Sequence, residues 1–384
     1  MKVYLDNAST TFPKPKVVVD SIYNYLVNVG GNANRSNNSN TLESNREIFI
    51  ARERIAKFFN YDKIENVIFT NNITSSLNML IKGILKSGDH VITSSLEHNS
   101  VIRPIISCKE NLGVEVDFIK GNSTGFINPN DFEKCIKENT KLIVLTHASN
   151  VTGCIQPIKD VGEICKKYGV FFIVDTAQSA GTIPIDFKEI GVNALAFTGH
   201  KSLLGPQGIG GFIIDDELNK HCSTIIEGGT GSLSHDIHQP SFMPDKFECG
   251  TLNIPGIVGL SNAINFINEV GISNIKEKNS YLYKKLLNGI LSIDNYEVYG
   301  DKTGEKATTS LSLNLKGVDT SELSFYLDDH GISNRSGLHC APKCHETIGT
   351  FPTGSVRLSI SYFNTEEEID YTLSVLKNAA KELI

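Results

Sequence analysis

The chain has 384 residues, and 36 Lys and Arg against 43 Asp and Glu leave a net charge of −7. That acidic balance excludes the basic surface of a nucleic-acid binder. At about 150 residues per domain the length implies two or three structural units, large enough to bury a core without disulfide staples. Hydrophobic residues at 40 % and charged residues at 21 % describe an ordinary globular protein. No apolar run reaches the ~18 residues of a membrane span or resembles a signal peptide, so a soluble, cytoplasmic protein with no membrane partner is expected.

The Asn-rich stretch Asn32–Asn40 reads as a loop. From Val67 to Ile214 short β-rich runs (Val67–Thr70, His90–Thr93, Val114–Ile119, Lys141–Thr146, Phe171–Asp175, Ala194–Thr198, Gly211–Ile214) alternate with helical patterns at Ser75–Lys86, Ser100–Asn111 and Ile158–Tyr168. This alternation predicts an α/β unit built on a mostly parallel sheet covered on both faces. Ligands of such sheets bind beyond the carboxyl ends of the strands. Residues 215–253, rich in Gly, Ser, Asp and His, read as a long irregular excursion of the kind that carries function. Beyond Pro255 the pattern changes to helices (Gly256–Glu269, Ile275–Ser292, Thr320–Asp328, Glu366–Leu383) and strands (Ser310–Leu315, Val356–Tyr362). The expected division is a large unit over 16–254 and a smaller α+β unit formed by 1–15 and 255–384.

Several strand ends carry chemistry. Thr74, Ser75 and Ser76 fall in the first turn of a helix, where free N–H groups and hydroxyls suit a phosphate or merely cap the helix. His98 follows the next strand. Asp175 ends a strand so apolar that its carboxylate must meet a cation, either an Arg or the protonated ring nitrogen of a ligand. Lys201, after Thr198-Gly-His200, stands where desolvation can turn its amine into a nucleophile. Two motifs are discounted. Gly205-Pro-Gln-Gly-Ile-Gly-Gly211 precedes a strand instead of opening a helix, so it fails the context of a dinucleotide fingerprint. His339-Cys-Ala-Pro-Lys-Cys-His345 lacks the second ligand pair of a zinc site, and Cys340 reads better as a reactive thiolate near cations such as Arg335.

In chain order, Tyr4-Leu-Asp-Asn-Ala8, Thr74-Ser-Ser-Leu-Asn78, Glu97-His98, Ser149-Asn-Val-Thr-Gly153, Val174-Asp-Thr-Ala-Gln178, Thr198-Gly-His-Lys201, Glu248-Cys-Gly-Thr-Leu-Asn253, Arg335-Ser-Gly-Leu-His-Cys340, Val356-Arg357 and Tyr362-Phe-Asn364 resemble the class V aminotransferase family of pyridoxal-phosphate enzymes, in its cysteine desulfurase and selenocysteine lyase branch. The resemblance covers nearly the whole chain. It implies the fold type I of these transferases, with a seven-stranded, mostly parallel sheet in the large domain, and pyridoxal 5'-phosphate as cofactor. It further implies that Lys201 bonds the cofactor, His98 stacks on its ring, Asp175 keeps the pyridine nitrogen protonated and Gln178 meets the phenolic oxygen. The phosphate would lie against Thr74, Ser75, Thr198 and His200, joined by Thr251 from the second subunit of a homodimer. Asn150 and Arg357 would hold the substrate carboxylate, with Arg335 close by.

The implied reaction takes L-cysteine to L-alanine and leaves a persulfide on Cys340, with Lys201 moving the Cα proton. The short spacing from Arg335 to Cys340 is similar to that of desulfurases that hand sulfur to an acceptor protein. Selenocysteine lyases, acting on L-selenocysteine, look alike here, and a class V lyase or aminotransferase on another amino acid is the further alternative; Cys340 speaks against the latter because transamination needs no thiol. Three departures from the pattern stand out. Gly31–Asn40 is crowded with Asn and lacks a His that relatives carry; Cys154 replaces a Thr and reads as packing; Cys344 is either a resolving thiol or incidental. Ala341-Pro342 favours an extended or turn geometry over a helix between the two thiols.

Overall fold

The computed structural model describes residues 1–33 and 38–384. A seven-stranded sheet runs in the spatial order Val67–Thr70, Gly210–Ile214, Ala194–Thr198, Phe171–Asp175, Thr140–Thr146, His90–Ser94, Glu115–Ile119. Gly210–Ile214 is antiparallel to both neighbours and every other pairing is parallel. The strands from His90 to Ser94 and from Ala194 to Thr198 are buried throughout, as a sheet covered on both faces requires. The glycine-rich stretch before the antiparallel strand has a steric reason. A Cβ on Gly211 would meet the Ile68 carbonyl at 2.3 Å and the Phe197 ring at 2.6 Å, so only glycine lets the three strands close.

The predicted helices appear at Ile73–Ile84, Asn99–Leu112 and Ile158–Tyr168. Two further long helices, Lys16–Asn28 and Ser39–Phe58, pack against Ile254–Val270 within one apolar core. Ser39 and Asn40 therefore open a helix instead of ending a loop, because the Asn38 side chain accepts the Thr41 N–H and caps it. Most of the rest of the Asn-rich stretch, residues 34–37, lies outside the described residues. The expected excursion over 215–253 is shorter than read from sequence: Asp215 caps a helix over Asp216–His221, and only from 222 to 253 has the chain neither helix nor strand.

A second sheet orders Arg335–Gly337, Ser355–Ser359, Ser310–Leu315 and Tyr296–Tyr299, all antiparallel. The N-terminal strand Val3–Tyr4 pairs with Ile332–Ser333, so both ends of the chain meet in one layer backed by the helices Ile272–Leu291, Thr320–Asp329 and Glu366–Glu382. The segment after Cys340 corrects the expectation of an extended or turn geometry: Pro342–Ile348 is a helix. Proline stands in its first turn, where its missing N–H would have no partner anyway and its fixed φ favours the helix.

Candidate active site

The carboxyl ends of the parallel strands and the start of the Ile73–Ile84 helix enclose a cavity of about 170 Å³ whose lining includes Thr74, His98, Asn150, Asp175, Gln178, Thr198, His200 and Lys201. Each arrives by a local rule. Asp175 and Thr198 are the last residues of their strands, Thr74 lies in the first turn of a helix capped by Asn72, and His98 caps the helix Asn99–Leu112. Ser75 and Thr251 stand apart, lining a separate cavity of about 190 Å³ with Thr70, Asn71 and Cys249.

Asp175 is 3 % exposed and accepts the Ala177 N–H at 2.8 Å. Burial raises its pKa, while the Lys201 charge opposes that rise. The Lys201 amine is pushed down to about 8, first by burial, with the charge of Asp175 working against the fall and those of Arg357 and Arg335 adding to it. The lysine's position is secured one residue upstream: the His200 carbonyl accepts from Lys14 Nζ at 2.6 Å, the Thr11 N–H at 3.0 Å and Thr10 Oγ1 at 3.2 Å. His98 is held neutral, its pKa near 4 through burial and the Lys201 charge. Its Nδ1 accepts the Ser100 N–H at 3.1 Å, so the ring proton sits on Nε2. Gln178 is anchored by Nε2 donating to the Ala8 carbonyl at 3.1 Å.

Arg335 and Arg357 are directly opposed across two antiparallel strands. Arg357, 1 % exposed, donates to the Asn150 carbonyl at 2.9 Å, Asp6 Oδ1 at 3.0 Å and Ser9 Oγ at 2.9 Å, and its Nε is buried without a partner among the described residues. Arg335 reaches Cys340 Sγ at 3.8 Å and Ser9 Oγ at 3.4 Å. Cys340 is exposed, and both it and His339 have positive φ, +58° and +49°, a left-handed pair that non-glycine residues seldom adopt and that tends to mark functional loops. Cys344 is fully buried, faces Ser149 Oγ at 3.7 Å and has its thiol pushed up to about 12 by burial.

Three polar groups in or beside this cavity bear on what it could hold. Among the described residues, Thr198 Oγ1 and His200 Nδ1 are buried with no hydrogen-bond partner, and the Asp175 carboxylate is buried with no direct ion pair. An anionic group near the first two and a protonated ring nitrogen at the third would satisfy all three, which is the donor and acceptor pattern of pyridoxal 5'-phosphate. Asp6 and Ser9, which bond Arg357, and Glu97, close enough to feel the Asp175 charge, stand beside the site without having been singled out by sequence, although Asp6 and Glu97 lie inside quoted motifs.

The Aminotransferase class-V model matches residues 3–372. A probable cysteine desulfurase of Methanothermobacter thermautotrophicus is 35 % identical over 98 % of this chain and 94 % of its own length. Another from Borreliella burgdorferi is 33 % identical over 99 % and 92 %. Among solved structures, the apo cysteine desulfurase from Thermococcus onnurineus superposes with a TM-score of 0.93 at 33 % identity, covering 99 % of this chain and 95 % of that one. A cysteine desulfurase from Escherichia coli gives 0.88 at 26 %, covering 100 % and 95 %. With a motif-bearing cavity at the strand ends and a family match along nearly its whole length, the chain belongs to the class V aminotransferase family.

Proposed function

We propose that this chain is a pyridoxal-phosphate-dependent cysteine desulfurase that converts L-cysteine to L-alanine and keeps the sulfur as a persulfide on Cys340. The observation that carries the reading is the pairing of the Lys201–Asp175 cavity with an exposed thiol 3.8 Å from Arg335. The cofactor, when bound, supplies an electron sink for charge developing at the substrate Cα. The residues that would hold it are Lys201, Asp175, His98, Gln178, Thr74, Thr198 and His200. Ser75, in the neighbouring cavity, would serve the phosphate within the same subunit, and Thr251 would reach it from the second subunit of a homodimer.

The Lys201 amine, neutral above about pH 8, is the group able to take the Cα proton and return one. Neutral His98 presents its face and its Nε2–H without adding a charge. Arg357, with an unpaired Nε, and Asn150 orient the substrate carboxylate by charge-assisted hydrogen bonds. The Cys340 thiolate then attacks the substrate sulfur. The carbon–sulfur bond breaks as the sulfur–sulfur bond forms, the pair from the broken bond stays on Cβ, and Cβ takes up a proton to become the alanine methyl. Cys340 is oxidised as Cβ is reduced, so no further redox partner enters this half-reaction. An acceptor protein that collects the persulfide sulfur completes the cycle.

The division into a large unit, 16–254, and a small one, 1–15 with 255–384, is part of the same proposal. It is supported by the separate core that gathers Val3 and Leu5 with Leu286, Leu313 and Leu358. Among the described residues no helix is long and apolar enough to cross a membrane, and we infer a cytoplasmic location.

The test is Lys201→Ala. The purified variant is expected to release no alanine from cysteine, and borohydride is expected to leave no cofactor covalently attached. Attachment at another lysine would overturn the assignment.

A further inference from the structure

Resting on the reading of Cys340 as the sulfur acceptor, we infer that the backbone N–H of Asn99, together with the side chain of Asn150, positions the Cys340 thiol. Three successive carbonyls of the loop are tied. Leu338 O accepts the Ala341 N–H at 2.9 Å, His339 O accepts Asn150 Nδ2 at 2.7 Å, and Cys340 O accepts the Asn99 N–H at 2.8 Å. The last two ties come from residues that follow strands of the large sheet, and the residues so tied, His339 and Cys340, are the two with left-handed backbones. A strained pair of this kind persists only where its surroundings over-determine it. The N–H of Asn99 is also one of the unsatisfied donors of a helix start, so its use here costs the helix nothing.

The consequence is a fixed register between nucleophile and cavity. Asn99 is the residue after His98, whose ring lines the cavity, and Asn150 both lines that cavity and lends its carbonyl to Arg357. Cys340 is therefore held from the same backbone positions that shape the place where substrate sulfur must arrive. Positional errors of about 1 Å in such an arrangement cost up to about a hundredfold in rate. Asn99 and Asn150 are positioning residues in this sense, acting on the thiol through main-chain carbonyls.

The helix start allows a selective test. Asn99 is the first helical residue, where proline is accepted, and His98 at φ −69°, ψ 154° already has the backbone that a residue before proline prefers. Asn99→Pro therefore deletes the N–H together with the side-chain amide, while Asn99→Ala keeps the N–H and removes the amide alone, so the difference between the two variants isolates the N–H. Two measurements are made on the cofactor-loaded enzyme: the iodoacetamide alkylation rate of the Cys340 peptide without substrate, read by mass spectrometry, and kcat and KM for alanine release from cysteine. Asn99→Pro is expected to speed alkylation about threefold or more and to lower kcat about tenfold or more with KM within about twofold, while Asn99→Ala stays at wild-type values. Unchanged alkylation and kcat in Asn99→Pro, or the same change in Asn99→Ala, would overturn the inference. Should Asn99→Pro fail to fold, Asn150→Ala must show the faster alkylation, and wild-type alkylation there overturns it equally. Wild-type alanine release in Cys340→Ser would sink the desulfurase reading instead, and the alkylation arm would still decide the positioning claim.

Discussion

Glu97 illustrates how burial sets the chemistry of single side chains around the cavity. It is fully buried, and its Oε1 accepts Ser94 Oγ at 2.5 Å and the Thr146 N–H at 3.1 Å, while Oε2 has no partner. Burial, with a smaller contribution from the Asp175 charge, raises its pKa from 4.5 to about 8. Between those values the folded protein keeps a proton that the unfolded chain has released, so this residue's contribution to stability falls as pH rises from 4.5 to 8. Glu97→Gln retains the acceptor oxygen and removes the titration. The variant is expected to be more stable than the parent at pH 8 by about 4 kcal/mol and closer to it at pH 5, as read by urea unfolding at both values. At this scale much of the cavity was legible: Asp175, Thr198 and Lys201 follow strands of unbroken apolar character, and such strands end where ligands bind. Asn99 was not, because its contribution is a main-chain N–H, and neither was the pairing of Asp6 with Arg357, which joins residues from opposite ends of the chain.

Among the elements, the helix Pro342–Ile348 decides what Cys344 can do. Its first turn is compatible with Pro342, and its buried face places Cys344, Ala341 and Ile348 in the core of the large sheet's outer layer. Lys343 lies over the Phe118 ring and Thr347 Oγ1 donates to Ser95 Oγ at 2.7 Å, so the helix docks against the strands at one edge of the large sheet. A thiol buried in this way, with its pKa near 12, has neither the access nor the thiolate to act as a resolving partner. Cys344→Ala is expected to cost about 1 to 2 kcal/mol in denaturant unfolding and to leave the single-turnover persulfide yield unchanged. A changed yield would restore a redox role. Elements were legible in proportion to the purity of their apolar pattern. The helix Ser39–Phe58 buries Arg52, Ser44 and Thr41 along with Ile48 and Ile55, and these polar residues on its inner face blur the 3.6-residue period.

For the molecule as a whole, the end of the excursion over residues 222–253 is tied down by a buried ion pair. Arg52 Nη2 meets Glu248 Oε2 at 2.5 Å with both side chains under a tenth exposed; Glu248 Oε1 accepts the Phe69 N–H at 2.7 Å, and Arg52 also donates to the Val67 carbonyl. A helix, the outer strand of the large sheet and the end of the excursion are thereby joined. Removing one partner strands a buried charge, so Glu248→Ala is expected to cost about 3 to 5 kcal/mol. Because Thr251 follows directly, limited proteolysis should cut within 222–250 in the variant well before global unfolding. Unaltered proteolysis would show that the excursion is held by other means.

The pairing of Val3–Tyr4 with Ile332–Ser333, and of Arg357 with Asp6, also orders events during synthesis. When the ribosome has released Lys201, the strand Gly210–Ile214 that seats Val67–Thr70 in the sheet has not been made, and the thiol and both arginines are further away still. The N–H groups of Val3, Leu5 and Asn7 must wait for Gly331, Ser333 and Ser359 before they find their hydrogen-bond partners, a long-range closure of the kind that folds late. A nascent chain thus carries Lys201 through the synthesis of residues 202–357 without Cys340 and the two arginines that the proposed reaction needs.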